Sequence, residues 1–193
     1  MRRGDRTWRE GIGSGATVGD ELFVTGALGA AAAGLALLGD GIDRTTASPD
    51  ALECLERQER PEPRLRFASI VARTGAAAAA IDLSDGLADA AGRLAEAAGL
   101  AIVVQAKDIP VHPGARVRAA QLGLSAAMFA LQGGEDYELA FAVPARRRRR
   151  FLAAAHRCPE LLVTRIGRFE KGTGAWLEDQ GNRTPFPPGF GHF

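Results

Sequence analysis

Ala76-Ala77-Ala78-Ala79-Ala80-Ile81-Asp82-Leu83-Ser84-Asp85-Gly86-Leu87, continuing to Leu100, is the stretch that decides how this chain is read. The alanines and Ile81 form an apolar run that reads as a buried strand, although alanine by itself favours helix. Asp82 to Gly86 is a polar bend. Beyond it Leu87, Ala91, Leu94 and Ala98 fall on one face at helical spacing, with Asp85, Asp89, Arg93 and Glu96 on the other. Gly99 is placed to stop that helix. A strand that runs through a polar bend into an amphipathic helix is an α/β unit.

The pattern extends outward in both directions. Upstream, Leu22-Phe23-Val24 within Glu21–Thr25 reads as a short strand, and Ala30 to Leu38 as a helix of small residues ended by Gly39-Asp40-Gly41. Ser48-Pro49 is an N-cap and first-turn pair, opening a helix to Glu59 with Leu52 and Leu55 inward. Pro61 and Pro63 stop it, and Leu65 to Thr74 is a further helix. Downstream come a strand over Ala101–Ala106, helices over Ala115–Leu122 and Leu124–Leu131 around Gly123, and an acidic turn at Gly133–Asp136. A strand over Tyr137–Val143, a helix over Ala145–Arg157, and strands over Leu162–Arg168 and Ala175–Leu177 follow. Pro185 to Phe193 reads as a tail. The predicted fold class is α/β (α+β), a mixed sheet backed by helices. Residues 1–17, with Gly11, Gly13 and Gly15, form a loose arm before one domain over 18–193.

Composition narrows the function classes. The chain has 193 residues, 46% hydrophobic and 24% charged, with a net charge of +1. That is ordinary for a soluble domain and leaves no bulk basic field for nucleic acid. Aromatics at 6% argue against a base-stacking surface. The arginines at 146–150 are consecutive, so on a helix they point all round and form a solvated face. Cys54 and Cys158 are too few for a disulfide framework or a four-thiolate zinc site. No apolar run is long enough for a membrane helix and the first ten residues lack a signal-peptide core, so a cytoplasmic protein is expected.

Three constellations can carry chemistry. Asp82-Leu83-Ser84-Asp85-Gly86 sits at an expected helix N-terminus, where free N–H groups and the helix dipole favour anions. Ser84 can cap that helix or donate to a phosphate. Asp82 and Asp85 supply hard oxygen ligands of the kind that hold Mg²⁺ beside substrate phosphates. The same residues are also ordinary capping residues. Gly133-Gly134-Glu135-Asp136-Tyr137-Glu138 gathers three carboxylates that need cations, donors or water; Glu135 or Asp136 can accept from a cationic or amine-bearing ligand, or the run is a solvated turn. Gly189-Phe190-Gly191-His192-Phe193 either packs on the core or walls a ligand site. His112 and His156 show no ligand spacing.

Taken in order, these pieces resemble the C-terminal domain of the thiamine-monophosphate kinase family, within the aminoimidazole ribonucleotide synthetase superfamily. The resemblance rests on Val18-Gly19-Asp20-Glu21-Leu22-Phe23-Val24-Thr25-Gly26, Ile81-Asp82-Leu83-Ser84-Asp85-Gly86-Leu87, Gly133-Gly134-Glu135-Asp136-Tyr137-Glu138-Leu139 and the terminal Gly189-Phe190-x-His192-Phe193. It implies transfer of the ATP γ-phosphoryl group to thiamine monophosphate with Mg²⁺, giving thiamine diphosphate. It implies Asp82 and Asp85 as Mg²⁺ ligands, Ser84 as an ATP contact, and Glu135 and Asp136 as substrate contacts. Phe190, with Phe193 as fallback, is implied to stack on the substrate ring. Gly13 stands where the family carries an ATP-contacting arginine. The family's N-terminal domain is expected to be absent, making a second copy or a separate N-terminal domain a possible partner and leaving the small-residue helix as a candidate oligomer face. A non-catalytic nucleotide- or partner-binding domain, or a fragment without independent activity, is the alternative.

Overall fold

The structure, a computed structural model, describes residues 15–187. Strand β1 (Glu21–Thr25) is followed by helices α1 (Ala30–Gly39), α2 (Pro49–Glu59) and α3 (Leu65–Thr74), and by strand β2 (Ala79–Asp82). Helix α4 (Gly86–Ala98), β3 (Ala101–Gln105), α5 (Pro113–Gln121), α6 (Ala126–Gln132), β4 (Leu139–Val143) and α7 (Arg148–Ala155) come next. Strands β5 (Val163–Glu170), β6 (Gly174–Asp179) and β7 (Asn182–Pro185) complete the order. All seven strands form one sheet in the order β2-β4-β1-β5-β3-β6-β7. Every pairing is antiparallel except β3 with β6.

The two-residue period of β1 divides the core. Leu22 and Val24 point to one face, where they join Leu87, Ala91 and Leu94 of α4, Ala30 and Ala33 of α1 and Leu131 of α6. Phe23 points to the other, where Phe67 of α3, Phe141 of β4 and Phe151 of α7 pack around it. Those rings meet edge-on or tilted, with centroids 5.0–5.7 Å apart, the arrangement their quadrupoles favour. The mixed sheet is therefore covered by helices on both faces.

Local chemistry sets most boundaries. The Ser48 hydroxyl accepts from the Ala51 N–H, with Pro49 in the first turn of α2. Gly75 and Gly99 close α3 and α4 in the left-handed conformation. Four expectations shift. Ala76 and Ala77 are core residues of the turn after α3, so the strand begins only at Ala79. Leu55 is inward as expected, but Leu52 is 40% exposed and Cys54 takes the other buried position of α2. The helix expected over Ala145–Arg157 opens as a short 3₁₀ turn and is α-helical only to Ala155. Strand β7 lies where the tail was expected to begin.

One surface expectation also changes. The small-residue face of α1 is covered within the chain: a Cβ on Gly34 would lie 2.1 Å from the Cys54 carbonyl oxygen of α2. The arginines at 146–150 are exposed apart from the partly buried Arg147, the solvated face expected; within it Arg147 and Arg150 donate to the Ala77 and Thr74 carbonyls and Arg148 pairs with Glu21 of β1. Residues 15–17, read as arm, pack on the domain; Ala16 is buried and the Thr17 N–H donates to Asp20. No helix among the described residues is long and apolar enough to cross a membrane.

Candidate active site

The Asp82–Gly86 bend leaves the end of β2 and enters α4. Asp82 is exposed and has no ion pair among the described residues; Asp85 pairs with Arg93 of α4 at 3.2 Å. Arg93 also bonds Asp89 at 2.6 Å. The Asp85 side chain at the N-cap of α4 makes no cap hydrogen bond to the helix. The N-terminus of α4, where the first N–H groups lack intrahelical partners, thus opens beside the partly buried Ser84.

The Gly133–Glu138 run lies directly against this bend. The Glu135 N–H donates to the Ser84 carbonyl at 2.6 Å, and the Leu83 N–H to the Glu138 carbonyl at 2.8 Å. Gly86 permits the approach: it has φ +86°, and a Cβ there would lie 2.1 Å from the Gly133 oxygen. Glu135 and Tyr137 both take left-handed φ, 63° and 50°, uncommon for residues with side chains. The second of these keeps the strand from starting before Leu139.

Each carboxylate of the run has its own partner. Glu135 accepts from Gln58 Nε2 of α2 at 2.7 Å. Asp136 accepts from the Gly29 and Ala31 N–H groups at 2.7 and 3.3 Å, capping α1. Burial pushes the Asp136 carboxyl up to about 7, against the opposing pull of those two amides. Glu138 is fully buried, accepting from Arg64 Nε and Nη2 at 2.9 and 2.6 Å and from Thr25 Oγ1 at 2.6 Å. The run is thus not a solvated turn. Gln58 and Arg64 carry no motif, and only the close acidic spacing hints that such donors must exist.

The structure brings Asp82, Ser84, Asp85, Glu135 and Asp136 onto two abutting loops. Gly13, Phe190, His192 and Phe193 lie outside the described residues. Several concavities surround these loops: one of about 710 Å³ is lined by Glu53, Glu56, Arg57 and Glu62 among others, and one of about 310 Å³ lies between α1, α2 and α5, lined by Leu37, Ser48 and Arg118 among others. A mostly apolar groove of about 220 Å³ is lined by Ala68, Ala72, Ala80, Leu139 and Phe141. Ala80 and Asp82, two apart on β2, share a sheet face, so this groove borders the bend.

A Cys–His contact also occurs. Cys54 Sγ lies 3.4 Å from His112 Nδ1, which accepts from the Gly114 N–H at the start of α5. Burial pushes the Cys54 thiol up to about 11, helped by nearby carboxylates. A thiol held so far from ionisation is no nucleophile, and the contact is part of the packing. Among the described residues no group of three or more His, Cys, Asp or Glu is placed to hold a metal ion.

Comparison with known proteins gives consistent matches. The family of AIR synthase related proteins, C-terminal domain, matches residues 17–178. Thiamine-monophosphate kinase of Aquifex aeolicus is 33% identical over 179 residues, covering 93% of this chain and 53% of that protein. The Salmonella typhimurium protein of the same name is 41% identical over 131 residues, covering 68% and 39%. The chain thus spans about half the length, or less, of these curated relatives. Among solved structures, AaThiL complexed with AMPPCP and TMP superposes with a TM-score of 0.76 at 33% identity, covering 94% of this chain and 54% of that one. Hydrogenase maturation protein HypE in complex with ATP, at 18% identity and TM-score 0.70, covers 91% and 52% and shares the fold.

Proposed function

The chain belongs to the family of AIR synthase related proteins and corresponds to the C-terminal portion of the thiamine-monophosphate kinases among them, and we propose that it serves their reaction. In that reaction the bond between the ATP γ-phosphorus and its β–γ bridging oxygen breaks. A phosphate oxygen of thiamine monophosphate takes the phosphoryl group, and ADP leaves. Such a transfer needs positioning and charge neutralisation more than a covalent nucleophile. The observation that carries the reading is the contact between the two loops, Glu135 N–H to Ser84 carbonyl at 2.6 Å. It holds a phosphate-binding bend and a substrate-facing carboxylate in one unit.

The roles follow from the chemistry of each group. Ser84 and the first turn of α4 receive the nucleotide phosphates. Mg²⁺ commonly takes one or two carboxylates and completes its shell with phosphates and water. Among the described residues no third carboxylate, histidine or cysteine joins Asp82 and Asp85, which suits that habit, and these two would hold the ion. When bound, it supplies neutralisation of phosphate charge. Glu135 faces the cationic, amine-bearing substrate. Asp136, already bonded to α1, acts by fixing the loop. Phe190 and Phe193 are proposed to cover the substrate ring, since a thiazolium gains from an aromatic face.

Calorimetry on this chain tests the reading with two ligands, AMPPCP with Mg²⁺ and thiamine monophosphate. Asp82→Ala and Ser84→Ala are expected to weaken the first, and Glu135→Ala the second. No heat from either ligand at millimolar concentration would sink the assignment. Nucleotide binding without thiamine monophosphate binding would favour a non-catalytic nucleotide-binding domain.

A further inference from the structure

Main-chain amides hold Asp136, and arginine and threonine hold Glu138; Glu135 depends on a single side chain. Gln58 Nε2 donates to Glu135 Oε2 at 2.7 Å. The other amide atom, Gln58 Oε1, is buried and has no hydrogen-bond partner among the described residues. A buried carbonyl without a donor is unfavourable. Turning the amide over would set that carbonyl against the carboxylate, acceptor against acceptor. The bond to Glu135 therefore decides how the amide lies.

The surroundings keep Gln58 from drifting. A Cβ on Gly34 of α1 would lie 2.9 Å from Gln58 Cβ as well as 2.1 Å from the Cys54 carbonyl oxygen, so α2 is pressed onto α1 at this level. Glu135 is fixed at its main chain by Ser84 and at its side chain by Gln58, through two elements far apart in sequence.

We infer that Gln58 is a positioning residue for substrate binding, aiming the Glu135 carboxylate at the amine-bearing cation without touching it. This rests on the substrate role proposed for Glu135. A charge-assisted bond to Oε2 leaves Oε1 for the ligand. A carboxylate already oriented loses less freedom when the ligand arrives.

The test uses the full chain with Gln58→Met, similar in length but without a donor, and Gln58→Glu. Calorimetry is run with thiamine monophosphate and, separately, with AMPPCP and Mg²⁺. Gln58→Met is expected to weaken thiamine monophosphate binding up to about tenfold, the scale of ordering one side chain on binding, and to leave AMPPCP binding unchanged. Gln58→Glu is expected to regain affinity relative to the parent as pH falls, when its own carboxyl can donate. Equal losses for both ligands, or none for thiamine monophosphate, would overturn the inference. Should the parent chain bind no thiamine monophosphate, the kinase reading fails by itself. The Gln58 claim is then decided by urea unfolding of Gln58→Met, Glu135→Gln and the double variant: non-additive effects uphold the fixing of Glu135, and additive effects overturn it.

Discussion

Gly86 and Asp136 show how single positions hold the two loops together. At Gly86 a side chain meets both an unfavourable φ and the Gly133 carbonyl. Gly86→Ala is expected to cost about 3 kcal/mol, the upper end for left-handed strain with a backbone clash added. Urea unfolding would read that loss, and binding of both ligands should fall together because the loops part. Asp136 makes a different demand. Burial raises its folded carboxyl to about 7, from the ordinary 3.8. Between those limits the folded chain carries more protons than the unfolded one. The contribution to stability is full below the unfolded pKa and is lost as pH rises through about 7. Asp136→Asn is expected to flatten this slope, so unfolding midpoints at about pH 5 and about pH 8 should lie closer together than in the parent.

At the scale of elements, Arg64 is the residue through which α3 meets the acidic loop. It is 12% exposed and its partner Glu138 only 1%, with two bonds between them. Removing one partner of a buried pair strands the other charge. Arg64→Ala is expected to destabilise the fold by about 3 kcal/mol, at the low end for such pairs because Thr25 still donates; thermal unfolding checks it. Elements were legible where their ends are locally determined. Ser48-Pro49 and Gly99 specify boundaries by capping chemistry alone, and the structure puts them there. Strand β7 is not legible from hydrophobic alternation, since Asn182-Arg183-Thr184-Pro185 has no apolar residue. Its signal is the two-residue turn: Gln180 and Gly181 have φ 48° and 82°, the positive pair of a tight hairpin. Leu52 misleads because α2 turns neighbouring positions 54 and 55 inward, a choice made by α1 and α5 rather than by spacing.

At the scale of the molecule, the sheet separates two jobs. The phenylalanine cluster around Phe151 lies on the face of α3 and α7, while the main core under α4 and α1 lies on the other. Phe151→Ala is expected to cost about 3–5 kcal/mol, seen as a lower unfolding midpoint. Below that midpoint AMPPCP binding should persist, because no cluster ring belongs to either loop. The site divides in the same way between what can be read and what must be folded. Asp82, Ser84, Asp85, Glu135 and Asp136 announce themselves as motifs. Gln58 and Arg64 do not, because they reach their partners across 77 and 74 positions of chain, through packing that no local pattern encodes.

That long reach has a consequence for how the chain is made. The first strand among the described residues, β1, lies inside the sheet and pairs with β4 and β5, Glu21 opposite Val143 on one side and Arg168 on the other. During translation at about 5–20 residues per second, Leu22, Phe23 and Val24 wait on the order of ten seconds for their first strand partner to emerge. Closure of so many distant pairs also makes refolding slow for a domain of this size. A nascent chain stalled before Val143 would leave its central ribbon uncovered, and ribosome-bound chaperones should associate with that intermediate and release once β5 has been synthesised.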